Sequence, residues 1–546
     1  MNNYRRNMLI KVGLILVLAL LMFSSGYEIY KLGTSSSANQ SKVGFQGVAP
    51  GGLRSQKQNN NPPSMPNGNN KNSDTGKLPN IQINNNGQLA RNFRGRQNKN
   101  GRPSSMGRGM NSTANTYSVE VIMYSIIFII CFAALFIIGI RKGIKDFEIS
   151  EKFLIPVLVG IALFLRLFIA VLLPEYSSDL NLFKSWAVSA GNSLTKVYSN
   201  ARNADYPPLY MYVLAVIGKI GSTSAFSSYF NLLLKLPSIF ADIFTSFIIY
   251  KLAGKHLKGS MSTILAAVYL FNPAVLINSS VWGQVDSFFT MLLVLAAYML
   301  VEKKVGISSI FFTAAVLMKP QGIIFFPVLL FELVRLKSVK KFTKAALISL
   351  GTAALIALPF ALNNGITWIF KLYSSTVGEY PYASVNGFNF FSLIGKNFAK
   401  DTGTILGISY HNLGMAFILL ITIFSFVIYI KGNNEKLVPA LLLIQISGVF
   451  TFASSMHERY LFPAVALSIL AYIYLKDKRI LALIIGFTIT VFSNTYYVFL
   501  QAIKGGNSIG YTPVLVVTSA LNVLLFAYSV KVLIDILRNR GGVKID

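Results

Sequence analysis

The 546-residue sequence lacks most of the groups on which soluble enzymes rely. It has one cysteine, Cys131, inside an apolar run. One thiol can form no intramolecular disulfide, cysteine-rich metal cluster or haem attachment. Three histidines, His256, His411 and His457, lie far apart, and no residues have metal-ligand spacing. No cofactor or metal is expected. No phosphate-binding glycine loop, nucleophile elbow or C-x-x-C motif is present. Charged residues make up only 13% of the chain, against about 25% in soluble domains. Strand-length alternation is absent, which argues against an outer-membrane barrel.

What is present is apolar. Hydrophobic residues reach 53% and the mean hydropathy is +0.54. The apolar runs are about as long as a helical span requires. An all-α polytopic membrane protein follows. Its formal charge of +30 sits largely in one low-complexity stretch and in short loops between spans. Such loops report membrane orientation before they report a partner, and no nucleic acid is expected.

Three regions follow from composition. Residues 1–30 combine a basic start with an apolar run from about Val12 to Phe23. They read as a transmembrane signal anchor, or else as a cleaved signal peptide. Residues 31–116 are rich in Asn, Gly, Ser, Gln, Lys and Arg, with Asp74 as the one acid of the low-complexity stretch. Such a segment cannot bury enough apolar surface to offset its ordering entropy, so a disordered extracytoplasmic linker is expected. It serves as a solvated spacer or as a cationic arm for anionic polymer or head groups. Residues 117–546 form the membrane domain.

About 13–14 spans are expected in that chain, with both ends in the cytoplasm by the placement of basic turns. The stretch Pro207–Ile220 is only about 14 residues long, short for a crossing, and is expected to be re-entrant or partly inserted. The chain is organised around a polar interruption, Pro174 to Trp186, read as a juxtamembrane helix after the third span. Ser178 is its expected N-cap, with Asp179 as the first helical residue. Asp179, Phe183 and Trp186 share a face. A carboxylate there either has a task, such as general base, or only favours the helix N-terminus through the macrodipole.

Asp179, Asp205, Tyr206, Gln284, Asp286, Lys319, Gln321, His457, Glu458 and Arg459 all fall at span ends on the expected extracytoplasmic side. Arg459 and Lys319 are suited to gripping a phosphate. The alternative for Arg459 is an internal ion pair with Glu458 or Asp286. A long segment from about Asn363 to Asn412 carries Tyr373, Tyr380, Tyr382, Asn386, Phe388, Asn389 and Phe390. Aromatic faces with amides suit sugar rings, and they equally suit an interfacial aromatic belt.

The order of several short motifs resembles the GT-C superfamily of polyprenyl-phosphate-sugar-dependent glycosyltransferases, and more narrowly the bacterial PIG-V-related mannosyltransferases. The motifs are Asp179 with Phe183 and Trp186; Tyr206-Pro-Pro-Leu209; Lys235-Leu-Pro-Ser238 with Asp242; Phe271-Asn-Pro273; Trp282-Gly-Gln-Val-Asp286; Lys319-Pro-Gln321; and His457-Glu-Arg-Tyr460. The resemblance covers about Tyr117 onward. It implies a GT-C-like bundle and an inverting hexosyltransferase of the cell membrane, active on the extracytoplasmic face. Asp179 would be the catalytic base toward an acceptor hydroxyl. Arg459, Lys319 and His457 would stabilise the lipid phosphate, and Trp186 and Tyr206 would shape the sugar site. Gln284, Asp286, Gln321 and Glu458 complete the implied substrate contacts. The implied partners are a polyprenyl-phosphate sugar, a glycan, lipid or protein acceptor, and membrane lipids. The runner-up reading is a transporter or flippase of lipid-linked sugars, and the third a membrane scaffold.

Overall fold

Hydrocarbon offers no partner for backbone N–H and C=O groups, so an apolar chain of this kind must satisfy them within helices. The computed structural model describes residues 3–42, 117–142, 148–173, 175–201, 203–506 and 508–539. Most of the expected linker lies outside the described residues. The helices used below are α1 (Asn3–Lys42), α2 (Ser118–Lys142), α3 (Glu151–Leu172), α4 (Ser177–Asn192), α5 (Pro208–Gly221), α6 (Phe230–His256) and α7 (Met261–Leu270). They continue as α8 (Asp286–Val301), α9 (Val305–Met318), α10 (Phe326–Arg335), α11 (Val339–Asn364) and α12 (Trp368–Val377). The last five are α13 (Tyr410–Gly432), α14 (Val438–Phe452), α15 (Pro463–Leu475), α16 (Arg479–Ile503) and α17 (Pro513–Asn539). The only strands among the described residues are a two-residue antiparallel pair, Thr404–Ile405 with Ile408–Ser409. Helix α1 runs past the boundary expected at residue 30.

Among the described residues ten helices are long and apolar enough to cross a membrane, fewer than the 13–14 spans expected. Four further apolar helices, α5, α8, α9 and α15, are shorter; α5 is the stretch expected to be re-entrant or partly inserted, and the other three are stretches expected to cross. At about 1.5 Å per residue they reach roughly 20–24 Å, short of a hydrocarbon layer of about 30 Å. Their burial explains the shortness. All 13 residues of α15 are buried, so its surroundings are protein, and it need not match the membrane's thickness. By contrast, the 26-residue helix α11 buries only Ala345 and Phe360.

The short helix α5 packs against α4 at backbone distance. A Cβ built on Gly218 would lie 1.8 Å from the Ala187 carbonyl oxygen, and one on Gly191 would lie 2.9 Å from Gly218. Small residues let two helices approach this closely where hydrocarbon supplies no hydrophobic drive between them. This contact fixes α4, and with it Asp179.

Candidate functional site

Helix α4 begins two residues earlier than expected, at Ser177. Tyr176 precedes it and no side chain caps it, so Ser178 is not the N-cap. Asp179 still lies in the first turn, where a carboxylate is favoured by the helix dipole. The buried rings of Phe183 and Trp186 meet edge-to-face at 5.5 Å, and Trp186 meets Tyr206 at 5.4 Å. Trp186 is fully buried behind Tyr206, so it supports the site wall rather than lining it.

Two consecutive irregularities aim the next residues. Asn272 accepts from the Ala274 N–H at 3.0 Å and starts the short turn of helix at Pro273. The chain then widens into a π-helical segment, Ile277–Trp282, and reverses at Gly283, whose φ is +79°. Glycine is required there, because a Cβ would lie 2.9 Å from Leu180 and 3.3 Å from Lys235. The reversal sets Gln284 beside Asp179 and makes Asp286 the first residue of α8. Lys319, in extended backbone ahead of Pro320, ends α9. The loop between α14 and α15 supplies His457, Glu458 and Arg459. It is clamped by backbone bonds from Val385 to Met456 at 3.0 Å and from Ser455 to Tyr382 at 2.9 Å.

These elements bring all ten sequence-derived site residues to one end of the bundle. The indole N–H of Trp282 donates to Asp179 Oδ2 at 2.9 Å, and the Gln284 amide donates to the same oxygen. Lys319 Nζ donates to Asp286 Oδ1 at 2.5 Å, and Asn278 donates to Asp286 Oδ2 at 3.0 Å. The Arg459 guanidinium donates to Glu458 at 2.8 Å, and lies 3.9 Å from both Asp179 and Asp286. Gln321 donates to the Tyr460 carbonyl at 3.5 Å. Lys319 Nζ stands 5.7 Å from the Tyr206 ring and 5.8 Å from the Tyr460 ring. Asp286 and Lys319 are buried, while the side chains of Asp179 and Arg459 keep 23% and 17% exposure.

The electrostatics revise the expected phosphate cradle. Burial, reinforced by Arg459 and Lys319, pushes His457 down to about 3, so the ring is neutral near pH 7 and supplies no charge. Burial lowers Lys319 and raises Glu458, each against the pull of its ion-pair partner. Burial first, and then neighbouring Glu379, lifts Asp205 to about 6. Both site cations therefore face acids of this same chain, as the ion-pair alternative for Arg459 held. Among the described residues, no group of three or more His, Cys, Asp and Glu is placed to hold a metal.

The aromatic segment is mostly occupied with folding. Phe388 is fully buried, Asn389 caps the turn at Phe390 and donates to Phe450 and Ala453, and the Tyr373 hydroxyl donates to the Val316 carbonyl. Tyr380, 36% exposed and 4.5 Å from the His457 ring, is the one left at the surface among those with a site contact. Three groups at this end lay outside the sequence-derived set: Trp282, Asn278 and Glu379. Trp282 was legible from its place beside Gln284. Glu379 carried no signal, because only the fold brings it to Asp205.

Residues 173–379 match the protein family described as GPI transamidase subunit PIG-U. The match covers less than half of the chain and contains seven of the ten site residues, Asp179 to Gln321. No curated protein matches the chain. The match overturns the expected GT-C, PIG-V-related mannosyltransferase, because the similarity is to a transamidase subunit and not to a sugar-transferring enzyme. The expected hexosyltransferase activity goes with it, as does the flippase runner-up. So do the polyprenyl-phosphate sugar donor and the glycan, lipid or protein acceptor as partners, and the role of Asp179 as base for sugar transfer.

Proposed function

We propose that this chain acts as a subunit of a multi-component membrane assembly of the transamidase kind, with its polar bundle end on the extracytoplasmic side. The similarity of residues 173–379 to a GPI transamidase subunit carries the reading. That stretch runs from the start of the site to Glu379 at its mouth.

The geometry supports a holding role over a chemical one. A general base needs a lone pair directed at its substrate and freedom to take up the proton. Asp179 Oδ2 instead accepts from Trp282 and Gln284, with Arg459 alongside. Lys319 and Arg459 are likewise engaged by Asp286 and Glu458. A network in which both cations are held by acids of the same chain positions helices and presents a fixed surface. The basic loops at Arg335–Lys341 and Lys476–Arg479 lie at the opposite ends of their helices from the site, which supports the outward orientation.

The test is isolation of the tagged full-length chain from native membranes in a mild detergent, with chemical cross-linking beforehand. The expected result is a discrete complex of fixed stoichiometry with other membrane proteins, retained by an Asp179→Asn variant. A chain that stays alone under both treatments would refute the subunit reading.

A further inference from the structure

Carboxylates outnumber cations at the polar end, and the imbalance is greatest at its accessible mouth. Five acids converge there: Asp179, Asp205, Asp286, Glu379 and Glu458. Lys319 is bound to Asp286 and Arg459 to Glu458. Among the described residues this leaves Asp179, Asp205 and Glu379 without a cation in hydrogen-bonding contact, the nearest approach being Arg459 to Asp179 at 3.9 Å.

A second observation concerns unpartnered atoms. Gln284 Oε1 and Gln321 Oε1 have no hydrogen-bond partner, although Gln284 is fully buried and Gln321 is only 8% exposed. The Gln284 amide is held against Asp179 by its own N–H, so its oxygen lies within the cluster. Gln321 is tied to the carbonyl of Tyr460, next to Arg459. Asp205 Oδ1 is a third buried oxygen without a partner. All three are acceptors. The unpartnered donor nearby, Arg459 Nε, lies 3.9 Å from Asp286 Oδ2. Buried acceptors of this sort are costly unless a donor reaches them.

We infer that this mouth binds a primary ammonium group, carried by a small amine or by a lipid head group. An ammonium brings three N–H donors and the missing positive charge, and the exposed ring of Tyr380 suits a cation. A phosphate would meet three uncompensated carboxylates. The inference deepens the subunit reading, on which it rests for the side of the membrane the mouth faces.

The test uses the purified full-length chain in detergent and its tryptophan emission, since Trp282 contacts Asp179 directly. The probes are ethylammonium, short-chain phosphatidylethanolamine, N-ethylacetamide and short-chain phosphatidylglycerol. Saturable binding of ethylammonium points to a small amine, and binding of phosphatidylethanolamine alone points to a lipid head group; either supports the inference. Glu379→Gln, at an exposed position, and Asp205→Asn should each weaken that binding about tenfold, as loss of a nearby opposite charge implies. Equal binding of the uncharged amide or of phosphatidylglycerol would overturn the inference, and so would affinity unchanged in both variants. The assay uses the isolated chain, so its failure leaves the isolated-complex result standing, and the reverse also holds.

Discussion

Trp282 donates its indole N–H to Asp179 across two elements 103 residues apart in sequence, at 2.9 Å. The bond joins the first turn of α4 to the π-helical segment before Gly283. Replacing Trp282 by Phe keeps a ring and removes the donor. A hydrogen bond to a charged group contributes about 1.5–3 kcal/mol. The variant should lose about that much stability, read as a lower unfolding midpoint in detergent. An unchanged midpoint would show that the bond contributes nothing.

Asp286 is the partner of a buried lysine, with Lys319 Nζ at 2.5 Å. Removing one member of such a pair leaves an uncompensated buried charge and costs about 3–5 kcal/mol, whereas replacing both by apolar residues is often nearly neutral. Asp286→Leu should therefore reduce the folded yield sharply, and Asp286→Leu with Lys319→Met should recover most of it. Equal damage in the single and double variants would mean that the pair is not coupled as its geometry implies.

Gly218 faces the Ala187 carbonyl with no room for a Cβ. Gly218→Val should push α5 from α4 and move Asp179 with it. The expected readout is faster cysteine labelling at a reporter placed on Trp186, with the other spans still inserted. Labelling that does not change would separate the site from this helix contact.

Asp205 carries a pH dependence whose sign is fixed by its environment. Burial and Glu379 raise it to about 6, Arg459 opposes them, and Tyr198, Tyr206 and Tyr380 are its other titratable neighbours. A carboxyl raised in the folded state favours folding while protonated, and that contribution is lost as pH rises through about 6. Asp205→Asn should thus raise the unfolding midpoint at about pH 7.5 and leave it nearly unchanged at about pH 3, below the unfolded value. Stabilisation of equal size at both pH values would contradict the assignment.

The membrane class was legible in composition, because few charges and long apolar runs permit little else. The meeting of Asp179, Gln284, Asp286, Lys319 and Arg459 was legible in their shared place at span ends. Their partners were not. Whether Arg459 takes up a phosphate or Glu458 depends on a loop whose Met456 carbonyl is held by Val385, far away in sequence. The span count failed for a related reason. Hydropathy reads α15 as a crossing, yet a helix enclosed by protein is apolar for the sake of its neighbours. The family resemblance failed because short motifs such as Lys319-Pro-Gln321 record how a loop is built more than what reacts beside it.

The contrast between α15 and α11 also bears on how the protein meets its surroundings. A bilayer that thickens or thins acts on helices in contact with acyl chains, which respond by tilting. Helix α11, nearly bare along its 26 residues, is placed to feel such a change, whereas α15 is enclosed along all 13 of its own. The loop carrying His457, Glu458 and Arg459 hangs from α15, so hydrophobic mismatch should be absorbed at the perimeter. The charge cluster would keep its geometry in membranes of different lipid composition.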